Sequence, residues 1–184
     1  MSKALLIIDY SHDFIADDGA LSCGKPGQNI DKSLAEAVNN AAQEGGFIFI
    51  INDEHETGDV YHPESKLFPP HNIKDSLGAE IYGETGRAVK TLRDAGYDKI
   101  CCLPKTRYSA FFATPLSMLL HTRGVDHVVV AGVCTDICVL HTVIDATYAD
   151  FKVSVIEQGC AALTESGHDW AIAHMKNVLA AEII

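Results

Sequence analysis

Basic residues are scarce in this chain and nowhere clustered: 14 Lys and Arg stand against 25 Asp and Glu, for a formal net charge of −11. A surface that binds nucleic acid needs grouped cations to neutralise phosphates, and an anionic membrane surface makes the same demand. Both kinds of partner are therefore excluded. Long apolar runs are missing as well, since nothing approaches the about 18 uninterrupted apolar residues of a membrane-crossing helix. The first apolar run is only about five residues long and ends on an acid with no small-residue cleavage site behind it, which does not fit a secretory signal. Low-complexity tracts, linkers and internal repeats are absent. The six cysteines do not form a disulfide framework in a chain of 184 residues, and no Cys-x-x-Cys redox pair occurs. Reduced thiols and a cytoplasmic location are expected, with Cys23, Cys101, Cys102 and Cys160 acting as small buried hydrophobes.

What remains is an ordinary globular composition, 47% hydrophobic and 21% charged. A chain of this length buries about 70% of the surface its unfolded form exposes, enough for one core, and a single domain over residues 1–184 is expected. Apolar runs of strand length alternate with helical patterns. Strands are predicted over 4–9, 47–51, 99–103, 127–131 and 152–156, with a short edge strand at 181–184. Helices are predicted over 30–44, 84–95, 115–123, 136–148 and 166–180, Gly96 closing the second and Thr114-Pro115 opening the third. The order predicts a three-layer α/β/α fold around a mainly parallel five- or six-stranded sheet with right-handed crossovers. Residues 52–83 are irregular and rich in His, Pro and acids; a loop that long in a compact domain is usually functional.

Cys138 is the residue to which chemistry is most readily assigned. It follows the strand at 127–131 and falls in the first turn of the next helix, where unpaired amides and the positive dipole end favour a thiolate. Asp9 and Lys105 close two other strands. If these strands neighbour one another, an acid, an ammonium and a thiol meet at the carboxyl edge of the sheet, where open α/β sheets bind ligands. A second group lies at the end of the strand at 47–51. Asp53 and His55 share a face in extended conformation, and Glu64 and His71 lie downstream. This mixed N/O set suits a borderline divalent ion, Zn first, with Mn or Fe as alternatives. Its use beside a thiolate is to hold and orient a substrate. His62 is read as surface, and His12, His121, His127, His141, His168 and His174 have no spacing that demands a ligand role.

Four segments, Ile7-Ile8-Asp9-Tyr10 with Asp13-Phe14, Asp53-Glu54-His55 through Phe68-Pro69-Pro70-His71, Lys105 with Tyr108-Ser109-Ala110-Phe111, and Gly132 to Cys138, together resemble the isochorismatase-like cysteine hydrolases, and within them the nicotinamidase (pyrazinamidase) branch. The resemblance implies a catalytic triad of Asp9, Lys105 and Cys138 and a metal held by Asp53, His55 and His71, with Glu64 as an additional ligand. It further implies a cis peptide between Val133 and Cys134, an oxyanion hole from the amides of Cys134 and Cys138, and aromatic walls from Phe14, Phe68 and Tyr108. The implied reaction is hydrolysis of nicotinamide, and of pyrazinamide, to the acid and ammonia through a thioester. One departure is Glu54, where many nicotinamidases carry Trp; it is expected to put a carboxylate at the mouth of the pocket. A small-molecule amide is the expected partner, and the residues do not decide between a monomer and a homo-oligomer.

Overall fold

The computed structural model describes residues 2–184. Six parallel strands run through it: β1 (Ser2–Ile8), β2 (Phe47–Asp53), β3 (Ile100–Lys105), β4 (Val125–Val133), β5 (Lys152–Ala161) and β6 (Glu182–Ile183), in the spatial order β3-β2-β1-β4-β5-β6. Strands with neighbours on both sides and helices on both faces must be apolar throughout. Accordingly Leu6, Ile7 and Ile8 of β1 and Ile48, Phe49 and Ile51 of β2 are fully buried. At the edge, β3 is only partly covered, so Cys101 is half-buried and Cys102 exposed, its sulfur taking a hydrogen bond from Arg93 at 2.7 Å. The expectation that these two cysteines are core residues fails because β3 has no outer neighbour.

Crossovers leave β1 in both directions. Helix α3 (Asp31–Gln43) leads to β2 and α4 (Gly83–Asp94) to β3, and these two helices pack together. Helix α5 (Leu116–Thr122) packs on β4, while α6 (Leu140–Tyr148) and α7 (Glu165–Val178) pack on β5. Right-handed crossovers that run in opposite directions place the two sets on opposite faces of the sheet. The direction in which successive strands are added therefore reverses between β1 and β4, and ligands of doubly wound sheets bind at that switch point.

Three departures from the predicted elements matter for the site. Two short helices, α1 (His12–Ile15) and α2 (Lys25–Asn29), occupy the stretch read as a loop. Strand β5 runs past Ile156 to Ala161, because the register against β4 shifts between Val130 and Gly132; exposed Glu157 and Gln158 interrupt the apolar pattern before Cys160 resumes it. The helix predicted from Asp136 begins as a wide π-type turn, Thr135–Val139, before α6 takes over. Gly132 has φ of 129°, and a Cβ there would collide with the Ile8 carbonyl oxygen, so only glycine lets β4 approach β1 this closely. Within 52–83, Asn52 and Asp53 finish β2 and Gly83 opens α4, and between them lie two single 3₁₀ turns, Pro63–Lys66 and Leu77–Ala79, and isolated bridges from His55 to Ile73 and from Ile81 to Ser11. Among the described residues no helix is long and apolar enough to cross a membrane.

Candidate active site

The site is assembled from strand ends. Asp9 follows β1 in a left-handed conformation (φ 54°), its amide bonded to Ile51 O and its Oδ1 taking the Asp53 amide at 2.6 Å. Those bonds aim the second carboxylate oxygen at Lys105, the last residue of β3, whose Nζ lies 2.7 Å from Asp9 Oδ2. The same ammonium lies 3.8 Å from Cys138 Sγ and 3.8 Å from Asp53 Oδ1. Cys138 sits on the π-type turn after β4, and its thiol and the Asp9 carboxyl line one cavity. The acid, ammonium and thiol are brought together across three strand ends, and all three are buried.

Electrostatics in this group oppose one expectation. Burial pushes the Cys138 thiol well above its usual range and the Asp9 charge adds to the effect, with Lys105 opposing both. The resting group is therefore a thiol, not the thiolate that its place at a helix start suggests, because desolvation outweighs the turn's dipole. Burial also raises the Asp9 carboxyl, while Lys105 holds it down. Lys105 itself is penalised by burial, but Asp9, Cys138 and Asp53 raise it and keep it an ammonium. A carboxylate of increased basicity beside a protonated thiol is an arrangement for proton transfer. The Val133–Cys134 peptide is cis. The neighbouring Cys23 and burial push the Cys134 thiol upward.

Next to this group, one donor atom from each of Asp53, His55, Glu64 and His71 lies within 4.8 Å of the others. Their chemistry fits a divalent ion. His71 Nδ1 donates to Pro69 O at 2.8 Å, which turns Nε2 inward, 3.5 Å from both Asp53 Oδ2 and Glu64 Oε2. That nitrogen is buried with no hydrogen-bond partner, and a ligating imidazole is typically fixed in this way by a carbonyl on its far side. Burial pushes the His71 imidazole down, but the Asp53 and Glu64 carboxylates raise it to about 10, a measure of how strongly the cluster draws positive charge. Asp53 belongs to both groups, with Oδ2 toward the imidazoles and Oδ1 toward Lys105.

A cavity of about 80 Å³ is lined by Asp9 and Cys138 of the first group, by Asp53 and Glu64 of the second, and by the aromatic rings of Phe14, Phe68 and Tyr108. An outer cavity of about 440 Å³ reaches His55, Glu64 and His71 from the other side of Phe68. Leu21, Ile137 and Leu163 also line the inner cavity. These three carried no signal in the sequence, being apolar residues outside any recognisable motif. Two other readings change. Glu54 lines neither cavity and its carboxylate faces Lys74 at 4.0 Å, so it adds no charge at the mouth. His62 is not on the surface: its ring packs edge-on to His55 at 4.4 Å between centroids and its Nδ1 accepts the Glu64 amide. The fold of the loop buries it, and the neighbouring Pro63 gave no hint of that.

Comparison with known proteins agrees with this geometry. The pyrazinamidase/nicotinamidase of Streptococcus mutans superposes with a TM-score of 0.96 at 45% identity, covering 100% of both chains. PncA of Bacillus subtilis, an isochorismatase family protein, is 40% identical over 183 residues, 100% of this chain and 99% of its own. A probable inactive nicotinamidase of Arabidopsis thaliana is 36% identical over 179 residues, 96% of this chain and 89% of its own. The isochorismatase domain family matches residues 3–183, and with relatives of this similarity aligned nearly end to end, the chain belongs to the isochorismatase family of hydrolases.

Proposed function

We propose that the chain hydrolyses nicotinamide to nicotinate and ammonia, and accepts pyrazinamide, with Cys138 as nucleophile and a divalent ion at Asp53, His55, Glu64 and His71. The observation that carries this reading is one small cavity lined by the Cys138 thiol and the Asp9 carboxyl together with Asp53 and Glu64, two of four converging N and O donors. The activity named for the S. mutans neighbour, which aligns over the full length, supports the choice of amide. A divalent ion on these donors supplies a Lewis-acidic anchor for the ring nitrogen of the substrate.

The protein's own groups carry the reaction. Asp9 accepts the Cys138 proton, and Lys105 balances the negative charge that passes between them. The sulfur attacks the carboxamide carbon, and the amides of Cys134 and Cys138 hold the tetrahedral oxyanion, about 3–4 kcal/mol for each such donor. Asp9 then delivers its proton to the departing nitrogen as the C–N bond breaks, leaving a thioester on Cys138 and free ammonia. Water attacks the thioester carbon and gives a proton to Asp9. The C–S bond breaks, the acid leaves, and the Asp9 proton returns to sulfur. Phe14, Phe68 and Tyr108 flank the ring and keep bulk water from the thioester.

An ammonia-release screen over nicotinamide, pyrazinamide and other small amides, with elemental analysis of the purified protein, tests the reading. Nicotinamide and pyrazinamide are expected to be hydrolysed and Cys138→Ala to be silent. Full turnover by Cys138→Ala, or undiminished turnover by metal-free protein, would overturn it.

A further inference from the structure

We propose that Asn72 is a positioning residue for the cation cluster, a latch that holds the two imidazoles of His55 and His71 at one spacing and ties them to the turn carrying Phe14. Asn72 follows His71 directly, is fully buried and has φ of 44°. Its carbonyl accepts the His55 amide at 3.0 Å, so the main chain beside one imidazole is bonded to the residue adjoining the other. Lys74 N bonds to His55 O at 3.0 Å and extends this contact into a short parallel bridge between His55 and Ile73.

The backbone amide and side-chain oxygen of Asn72 are bonded to residues just beyond β1, while its Nδ2 is buried with no hydrogen-bond partner. Its amide donates to Asp13 Oδ2 at 2.7 Å, and its Oδ1 accepts the Ser11 hydroxyl at 2.8 Å. Ser11 is itself fully buried, and Asp13 is the residue before Phe14. Asn72 thus joins, through three hydrogen bonds, the loop bearing His71, the strand end bearing His55 and the turn bearing an aromatic wall.

The residue type fits this task. A left-handed backbone is tolerated by Asn better than by most side chains, and its amide oxygen meets a buried hydroxyl that would otherwise be unpaired. Asn72 touches neither the donors' ligating atoms nor the reacting group, so its action runs through the placement of His55 and His71. A group bonded directly to a ligating imidazole, as Pro69 O is to His71, typically changes metal affinity by about 10–100-fold when removed; the Asn72 side chain acts one step further out, through Ser11, and its loss should change affinity by less.

The inference rests on the metal-bearing reading above, and the experiment separates the two. Zn²⁺ is titrated into the full-length chain against a competing chelator dye, for the parent, Asn72→Gly, Ser11→Ala and the double variant. Glycine accepts the positive φ, so Asn72→Gly removes the side chain without forcing the backbone. The bonds of the Asn72 main chain to His55 and Asp13 survive in Asn72→Gly, so both single variants remove the one bond between the Ser11 hydroxyl and Asn72 Oδ1, and the Zn²⁺ dissociation constant is expected to rise in each by less than about 10-fold, with the double variant no weaker than Asn72→Gly alone. Melting of the metal-free forms gives the control. Lower melting with unchanged Zn²⁺ affinity would make Asn72 merely structural and overturn the inference. Should Asn72→Gly fail to fold, unchanged affinity in Ser11→Ala would overturn it equally. Failure of the parent to bind Zn²⁺ would instead defeat the metal-bearing reading itself, and this inference with it.

Discussion

Replacing Lys105 by methionine keeps the length of the side chain and removes its charge. In the parent the ammonium lies 2.7 Å from Asp9 and 3.8 Å from Asp53, and all three side chains are at most 4% exposed. Removing one partner of a buried ionic group leaves the others uncompensated, a loss of about 3–5 kcal/mol. For a domain of this size each kcal/mol moves the melting temperature by about 2–4 °C, so the metal-free variant should melt about 6–20 °C lower. The pH dependence gives a second signature. Without the cation, the Asp9 carboxyl, already raised above the 3.8 that the open chain keeps, titrates higher still, whereas His55 and His71 continue to hold Asp53 down. Groups with raised folded-state values destabilise in full above those values, and the penalty vanishes as pH falls to the unfolded one. Lys105 in the parent, raised above 10.5, contributes stability that is constant across this range and is lost only as alkaline pH passes its folded value. The gap between parent and variant should therefore be widest near neutrality and narrow toward about pH 4, as followed by calorimetry in matched buffers. A variant melting within about 2 °C of the parent near neutrality would refute the reasoning. So would a gap that widens on acidification.

Two other outcomes follow from the same site. Because burial raises Asp9 above 3.8, the acid limb of kcat/KM for amide hydrolysis should have its midpoint above that value; a midpoint at or below it would remove Asp9 as the base. Glu54→Gln should leave KM within about twofold and stability within about 0.5 kcal/mol, since its partner Lys74 is 4.0 Å away and half exposed. A tenfold or larger change in KM, read from initial rates of ammonia release, would put Glu54 on the substrate's path after all.

Strand ends were legible because parallel sheets impose them. Runs such as Ile48 to Ile51 announce a strand buried on both faces, and the acid or base that stops such a run stands at the carboxyl edge. Asp9, Asp53 and Lys105 were found in that way. The sequence could not give the strand order, and without it nothing put β1 beside β4 at the switch point. What failed was context that only tertiary neighbours supply. Cys102 looks apolar and is exposed because β3 lies at the edge, while His62 looks like a loop residue and is buried by the fold of that loop. Asn72 and Ser11 belong to no periodic pattern; their meaning lies in hydrogen bonds across 61 positions of sequence. The charge state of Cys138 was misread for a related reason. The helix dipole can be inferred from order along the chain, but the depth of burial that overrides it cannot.

Asp53 links the two halves of the site, and its removal separates their electrostatics. Its carboxylate raises both Asp9 and Cys138, whereas Lys105 lowers both. Asp53→Asn should therefore shift ionisation of the Cys138 thiol to lower pH, while Lys105→Met shifts it to higher pH. Alkylation of Cys138 in metal-free protein, followed by peptide mass spectrometry against pH, reads this directly and needs no turnover. Mass analysis also separates Cys138 from the exposed Cys102. The same Asp53→Asn variant should lose affinity for added Zn²⁺, because one of four converging donors is gone. Opposite shifts in the two variants mean that a single carboxylate balances the nucleophile's group against the cation's. An unchanged thiol in both variants would show that burial alone sets it, and the two groups would then be neighbours without being coupled.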